Sequence, residues 1–144
     1  MKILVTGGAG YIGSHMVKML CDLGYSVVVV DSLVNGYRQA VDKKAKFVET
    51  CLSSKKAITK ALKSCDAVMH FAGFIEASIS MQNPEKFLEN NVHYGALLLG
   101  AMKEAGVKDI VFSSTGAVYG NPKYIPIDEK HPKEPENFYG QTKL

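Results

Sequence analysis

The chain has 144 residues, 47% hydrophobic and 22% charged, with a net charge of +3. That length fits a single domain, 1–144, and the composition excludes collagen-like or wholly disordered structure. The positive balance is nearly all lysine, with Arg38 the only arginine, and its scatter along the chain argues against nucleic-acid binding, which concentrates basic residues.

Cys21, Cys51 and Cys65 follow no CxxC or other ligand spacing, so neither a disulfide framework nor a metal site is expected. Met1-Lys2 leads straight into an apolar run too short for a signal peptide. No stretch reaches the ~20 apolar residues of a membrane helix. These features predict a cytoplasmic, reducing setting.

Apolar runs and helical periodicity alternate along the chain. Residues 3–5 form a first strand. From 11 to 23 the apolar positions Ile12, Met16, Met19, Leu20 and Leu23 recur at helical spacing, and Gly24 is a stop signal. Residues 27–30 are four consecutive valines, the pattern of a strand covered on both faces. Residues 37–41 suggest a short helix, and 46–49 a third strand. Ser53 or Ser54 can cap a helix reaching about residue 63. A fourth strand covers 67–71. After a loop, Pro84 opens one long helix with Phe87, Leu88, Asn91, Val92, Gly95, Leu98, Leu99 and Met102 on its pattern; Gly106 ends it. Residues 109–113 read as a fifth strand. Residues 121–136 hold four of the five prolines and read as an irregular loop, after which Asn137 can cap a final helix. Met16, Met19, Met69, Met81 and Met102 are expected to fill gaps in or near the core. His15, His93 and the pair Glu104 and Lys108 have ordinary surface or packing explanations.

Strands alternating with helices predict an α/β fold: a doubly wound parallel sheet in the order 3-2-1-4-5. Its fifth strand would be a bare edge unless something outside this chain covers it.

The strongest motif is Thr6-Gly7-Gly8-Ala9-Gly10-Tyr11-Ile12-Gly13. Its GxxGxxG spacing leaves a strand and opens a helix, whose free N–H groups and dipole favour an anion. Gly7 permits the tight turn, Gly10 lets a diphosphate approach, and Gly13 lets helix and strand pack. Asp31 follows Gly13 by 18 residues and ends the second strand. A carboxylate there accepts from ribose hydroxyls and repels a 2′-phosphate, and Ser32 rather than arginine follows it, so NAD is expected rather than NADP.

Further stretches resemble the extended, nucleotide-sugar-modifying short-chain dehydrogenases/reductases, the family of NAD-dependent epimerases and dehydratases. They are Asp31-Ser32-Leu33-Val34-Asn35-Gly36, His70-Phe71-Ala72-Gly73, Glu89-Asn90-Asn91-Val92, the serine-rich run from Phe112 through Thr115 to Gly120, and the YxxxK signature Tyr139-Gly140-Gln141-Thr142-Lys143. The resemblance spans the whole chain and implies a Rossmann-like fold. It implies cofactor contacts from Gly7, Gly10, Tyr11, Ile12, Gly13, Asp31, Ser32, Leu33, Asn35, Gly36, Leu52, Phe71, Ala72, Gly73, Phe74, Asn90, Thr115, Tyr139 and Lys143. Thr115, Tyr139 and Lys143 would be catalytic. Positions i and i+4 of a helix share a face, so the Lys143 ammonium can favour the anionic form of the Tyr139 phenol.

Within that family the chain is most similar to the 4-epimerases of UDP-hexoses. The implied reaction is NAD-dependent inversion at C4 by transient hydride transfer, interconverting UDP-glucose and UDP-galactose. Gly116 and Ala117 stand where 4,6-dehydratases carry an Asp-Glu pair, which argues against dehydration. Other epimerases, decarboxylases, a non-catalytic NAD-binding module and a scaffold using the fifth-strand edge remain alternatives. Cys51 replaces the family's usual aspartate near the adenine, and Ile75 stands where close relatives carry lysine. Relatives continue beyond YxxxK into further strands and a sugar-nucleotide domain. The expectation is therefore a fragment or truncated product that turns over no nucleotide sugar by itself and holds NAD only weakly. A UDP-hexose is the expected partner of the full-length enzyme, with a homodimer left open.

Overall fold

The computed structural model describes residues 1–144. Its chain divides into two compact units, one made of residues 1–72 and 94–112, the other of 73–93 and 113–144.

The first unit holds one five-stranded parallel sheet: β1 (Lys2–Thr6), β2 (Ser26–Asp31), β3 (Lys46–Glu49), β4 (Ala67–His70) and β5 (Asp109–Phe112), in the order β3-β2-β1-β4-β5. The register pairs Val5 with Val29 and with Met69, and Met69 with Val111. The expected sheet order is observed. Alternation along each strand separates two cores. Leu4, Val28, Val30 and Val68 pack with Ile58 and Leu62 near α2 (Lys55–Ala61) and with Leu98 and Met102 of α5 (Tyr94–Ala105). Ile3, Val5, Val27 and Val29 pack with Val17, Leu20 and Cys21 of α1 (Tyr11–Asp22) and with Val41 and Ala45. The four valines of β2 are all buried, each contributing on the order of 2 kcal/mol. β5 differs: all four of its residues are exposed, including Val111 and Phe112, so the sheet has an open apolar edge.

Helix α1 forms where periodicity places it; of the apolar positions on that pattern, Leu20 is buried and Met16 packs against the core. Gly13, Val17, Leu20 and Cys21 are buried, whereas Ile12, Met19 and Leu23 are exposed. Gly13 carries little hydropathy, and its close fit to the turn selects it. Met19 and Met81 are exposed rather than core-filling; Met102 is buried. Gly24 and Gly106 end their helices with φ of +83° and +74°, the left-handed conformation that glycine adopts without cost. The segment at 37–41 is a single 3-10 turn, Arg38–Ala40. Helix α2 follows Ser54 with no side-chain cap.

The second unit contains α3 (Ala77–Gln82), α4 (Pro84–Phe87), a π-helical turn (Leu88–His93), a 3-10 turn (Gly116–Tyr119) and α6 (Phe138–Lys143). Helix α3 lies within the stretch expected to be a loop. The helix opened by Pro84 is interrupted by the π turn before α5. The wider turn directs Asn91 inward, and its hydrogen bonds offset the poorer helical geometry. Asn83 caps α4 by accepting from the Lys86 N–H. Residues 121–136 are irregular, as expected.

Candidate functional site

The candidate residues divide between the units. Gly7, Gly10, Tyr11, Ile12, Gly13, Asp31, Ser32, Leu33, Asn35, Gly36, Leu52, Phe71 and Ala72 belong to the first; Gly73, Phe74, Asn90, Thr115, Tyr139 and Lys143 belong to the second.

In the first unit, Gly7 takes φ +68° and donates to the Val30 carbonyl at 2.9 Å. A Cβ on Gly7 would lie 2.6 Å from the Ala72 nitrogen, so the backbone of Phe71 and Ala72 packs directly on the turn. A Cβ on Gly13 would lie 2.1 Å from the Gly7 carbonyl oxygen; this glycine is required by the turn itself as well as by helix packing. Gly10 is different. Its Cβ would meet only the Gly7 oxygen, at 3.3 Å. Gly10 is the N-cap of α1, no side chain caps that helix, and its first turn holds no acid. The N–H groups of Tyr11, Ile12 and Gly13 open the helix, and the Tyr11 and Ile12 side chains are exposed.

Asp31 braces this turn. Its carboxylate accepts from the Ala9 N–H at 2.9 Å and from the Leu33 N–H at 2.8 Å. Each oxygen keeps a further lone pair for another donor. Leu33 has φ +59°, Ser32 and Asn35 are exposed, and a Cβ on Gly36 would lie 2.9 Å from the Ala9 side chain. Leu52 is buried in the core with Val30. Thr6 and His70 form a buried contact of 2.5 Å beneath the turn. Cys21 and Cys65 are buried, which pushes both thiols up; the three cysteines are unpaired.

In the second unit, α6 carries Tyr139 and Lys143 one turn apart. Lys143 is only 5% exposed, and burial pushes its ammonium below the ordinary lysine value. Its Nζ lies 3.0 Å from the point where a Gly73 side chain would begin. The Ser114 hydroxyl donates to the Lys143 carbonyl at 2.9 Å. Thr115 is half-buried, and its hydroxyl accepts from the Ala117 N–H at 3.2 Å. Asn137 caps α6, as expected, by accepting from the Gly140 N–H at 2.7 Å.

Asn91, a residue outside the sequence-derived candidates, organises this unit. Its Oδ1 accepts from the Phe74 N–H at 2.8 Å and from Asn90 Nδ2 at 2.9 Å. Its Nδ2 donates to the Phe74 carbonyl and to Thr142 Oγ1, both at 3.0 Å. Thr142 donates in turn to the Tyr139 carbonyl at 2.7 Å. Asn90 is half-buried and serves this network. The doubled asparagine in the helical pattern was the available signal. Phe74 also stacks against Phe87, with ring centroids 5.8 Å apart. Glu104 pairs with Lys55 rather than Lys108, and His15 bonds the Tyr11 carbonyl on the exposed face of α1.

Residues 3–144 match the NAD dependent epimerase/dehydratase family. The chain belongs to that family. It is 48% identical over 146 residues to the UDP-glucose 4-epimerase of Lactobacillus helveticus, covering 100% of this chain and 44% of that enzyme. A crystal structure of UDP-glucose 4-epimerase superposes with a TM-score of 0.97 at 43% identity, covering 99% of this chain and 44% of the other. The UDP-glucose 4-epimerase of Stenotrophomonas maltophila, solved with NAD and formylated UDP-arabinopyranose, gives a TM-score of 0.95 at 37% identity, covering 99% and 45%. The chain therefore spans less than half the length of the relatives it matches. The fold is the Rossmann-like α/β fold of these epimerases.

Proposed function

We propose that residues 1–144 form the NAD-binding domain and carry the acid–base residues of an epimerase that inverts C4 of a UDP-hexose, interconverting UDP-glucose and UDP-galactose. The observation that carries this reading is the buried lysine one turn after a tyrosine on α6; separately, the start of α1 at Gly10 has no side-chain cap. The residues fit NAD. The amides of Tyr11, Ile12 and Gly13 suit a diphosphate, and Asp31 has acceptor capacity left for ribose hydroxyls.

Bound NAD would supply the hydride acceptor that oxidation at C4 requires. The chain's own residues would handle the proton. Tyr139 takes it from the sugar 4-hydroxyl and later returns it. Lys143, held in a poorly hydrated position, favours the phenolate by its charge. Thr115 offers a hydroxyl to the reacting oxygen. A buried lysine one turn after a tyrosine supports the acid–base role. Three unpaired thiols support a reducing compartment, and the substrate pair supports a place in galactose metabolism in the cytoplasm.

Isothermal titration calorimetry of the purified chain with NAD and NADP tests the cofactor assignment. NAD is expected to bind, and NADP at least about tenfold more weakly, because the Asp31 carboxylate opposes a 2′-phosphate. Saturating NAD without binding, or equal affinity for NADP, would overturn the reading.

A further inference from the structure

We propose that Ser80 is a positioning residue for Tyr139, holding the backbone of that residue in register from a neighbouring helix. This rests on the acid–base reading of Tyr139 given above. Ser80 is the sole buried residue of α3, with 0% exposure, while the larger Ile79 and Met81 of the same helix are exposed. A helix that buries a hydroxyl in preference to its apolar side chains is placed by hydrogen bonding rather than by a greasy face. The hydroxyl is used in both senses. It donates to the Ala77 carbonyl at 2.6 Å and accepts from the Tyr139 N–H at 2.9 Å.

The first turn of α6 has three N–H groups that no helical carbonyl can reach before the Gln141-to-Asn137 bond begins the ladder. Gly140 donates to Asn137, within its own segment. Tyr139 donates to Ser80, and Phe138 to the Met81 sulfur at 3.3 Å. Helix α3 thus supplies two of the acceptors. A six-residue helix has no stability of its own, so its place is set by what holds its ends. The far end is held by Ser114 and Asn91 through Lys143 and Thr142. On the flank, a Cβ on Gly140 would lie 2.7 Å from the Ala117 carbonyl oxygen, so α6 is lodged against the 3-10 turn after Thr115. Ser80 alone fixes the Tyr139 backbone directly from outside the helix. An apolar contact there would tolerate sliding; a directional bond to this amide does not, and displacement by about 1 Å is enough to degrade acid–base geometry.

The test follows the pH at which the Tyr139 phenol ionises in the NAD-loaded protein, read as tyrosinate ultraviolet absorbance in each background minus its Tyr139→Phe counterpart, alongside thermal unfolding. Ser80→Ala is expected to raise that ionisation pH by about one unit, and Ser80→Thr, which keeps the hydroxyl, to restore it. Ser80→Cys, a near-isosteric but weaker acceptor, should fall between and serves if the alanine variant does not fold. Lower thermal stability with an unmoved ionisation in Ser80→Ala or Ser80→Cys would overturn the proposal and leave a purely structural serine. An equal rise in Ser80→Thr would also overturn it. Absence of any acidified Tyr139 step in the unsubstituted protein would instead sink the acid–base reading itself, and this proposal with it.

Discussion

The ammonium nitrogen of Lys143 lies 3.0 Å from the position a Cβ on Gly73 would occupy, and Asn91 Oδ1 lies 3.3 Å from it. Gly73 therefore keeps space for a buried cation. Gly73→Ala should fold, because the obstructing atom is the end of a flexible side chain. It should displace the ammonium at a cost of about 1 kcal/mol. Urea unfolding gives the cost, and the side-chain NMR signal of Lys143 reports the displacement.

Lys143 also predicts a pH dependence. Burial lowers its folded-state value below the ordinary 10.5. Between the folded value and 10.5 the unfolded chain holds a proton that the folded chain has released, so stability attributable to this residue rises with pH through that window. Below the window the ammonium is charged in both states, and the folded protein bears its desolvation. Lys143→Met should remove that rise and be at least as stable as the parent at neutral pH. Chemical denaturation of both proteins from neutral pH to about 10.5 checks this; an unchanged difference between them across the range would contradict it.

Asn91 makes all four hydrogen bonds its amide allows. Asn91→Ala strands the part-buried Phe74 N–H and carbonyl and should cost about 2 kcal/mol. Asn90→Ala removes one bond from a half-buried side chain and should cost under about 1 kcal/mol. Equilibrium unfolding distinguishes them.

Two glycines of one turn should fail differently. Gly7→Ala meets backbone at 2.6 Å from a left-handed conformation and should cost about 3 kcal/mol or more. Gly10→Ala meets only the Gly7 carbonyl oxygen, at 3.3 Å, so it should cost much less stability than Gly7→Ala yet lose at least about tenfold in NAD affinity, since the methyl group occupies the approach to the helix amides. Thermal melts paired with calorimetry separate a folding defect from a binding one.

These outcomes follow from features that differ in how they are written into the sequence. The valines of β2 announce a strand buried on both faces, and the glycine turn announces its own geometry, because each relies on residue types with few alternative uses. Helix α3 was hidden for the opposite reason. Its apolar Ile79 and Met81 face outward and only Ser80 turns in, so hydropathy carries no helical period there. The inward face of α1 was legible only in part, at Leu20, because Gly13 carries no apolar signal beside the exposed Ile12 and Leu23. The helix that carries Tyr139 and Lys143 one turn apart was legible from spacing, whereas Asn91, Ser80 and Thr142 make long-range hydrogen bonds that no local pattern records. Position in space, not residue type, gives them their roles.

On the proposed reading the amides opening α1 receive a diphosphate. Backbone-amide NMR during an NAD titration measures it. The N–H resonances of Tyr11, Ile12 and Gly13 should show the largest changes, and Gly10→Ala should suppress them at the same NAD concentration. Saturation with NAD that leaves those three resonances in place, with the changes gathered elsewhere on the chain, would contradict it.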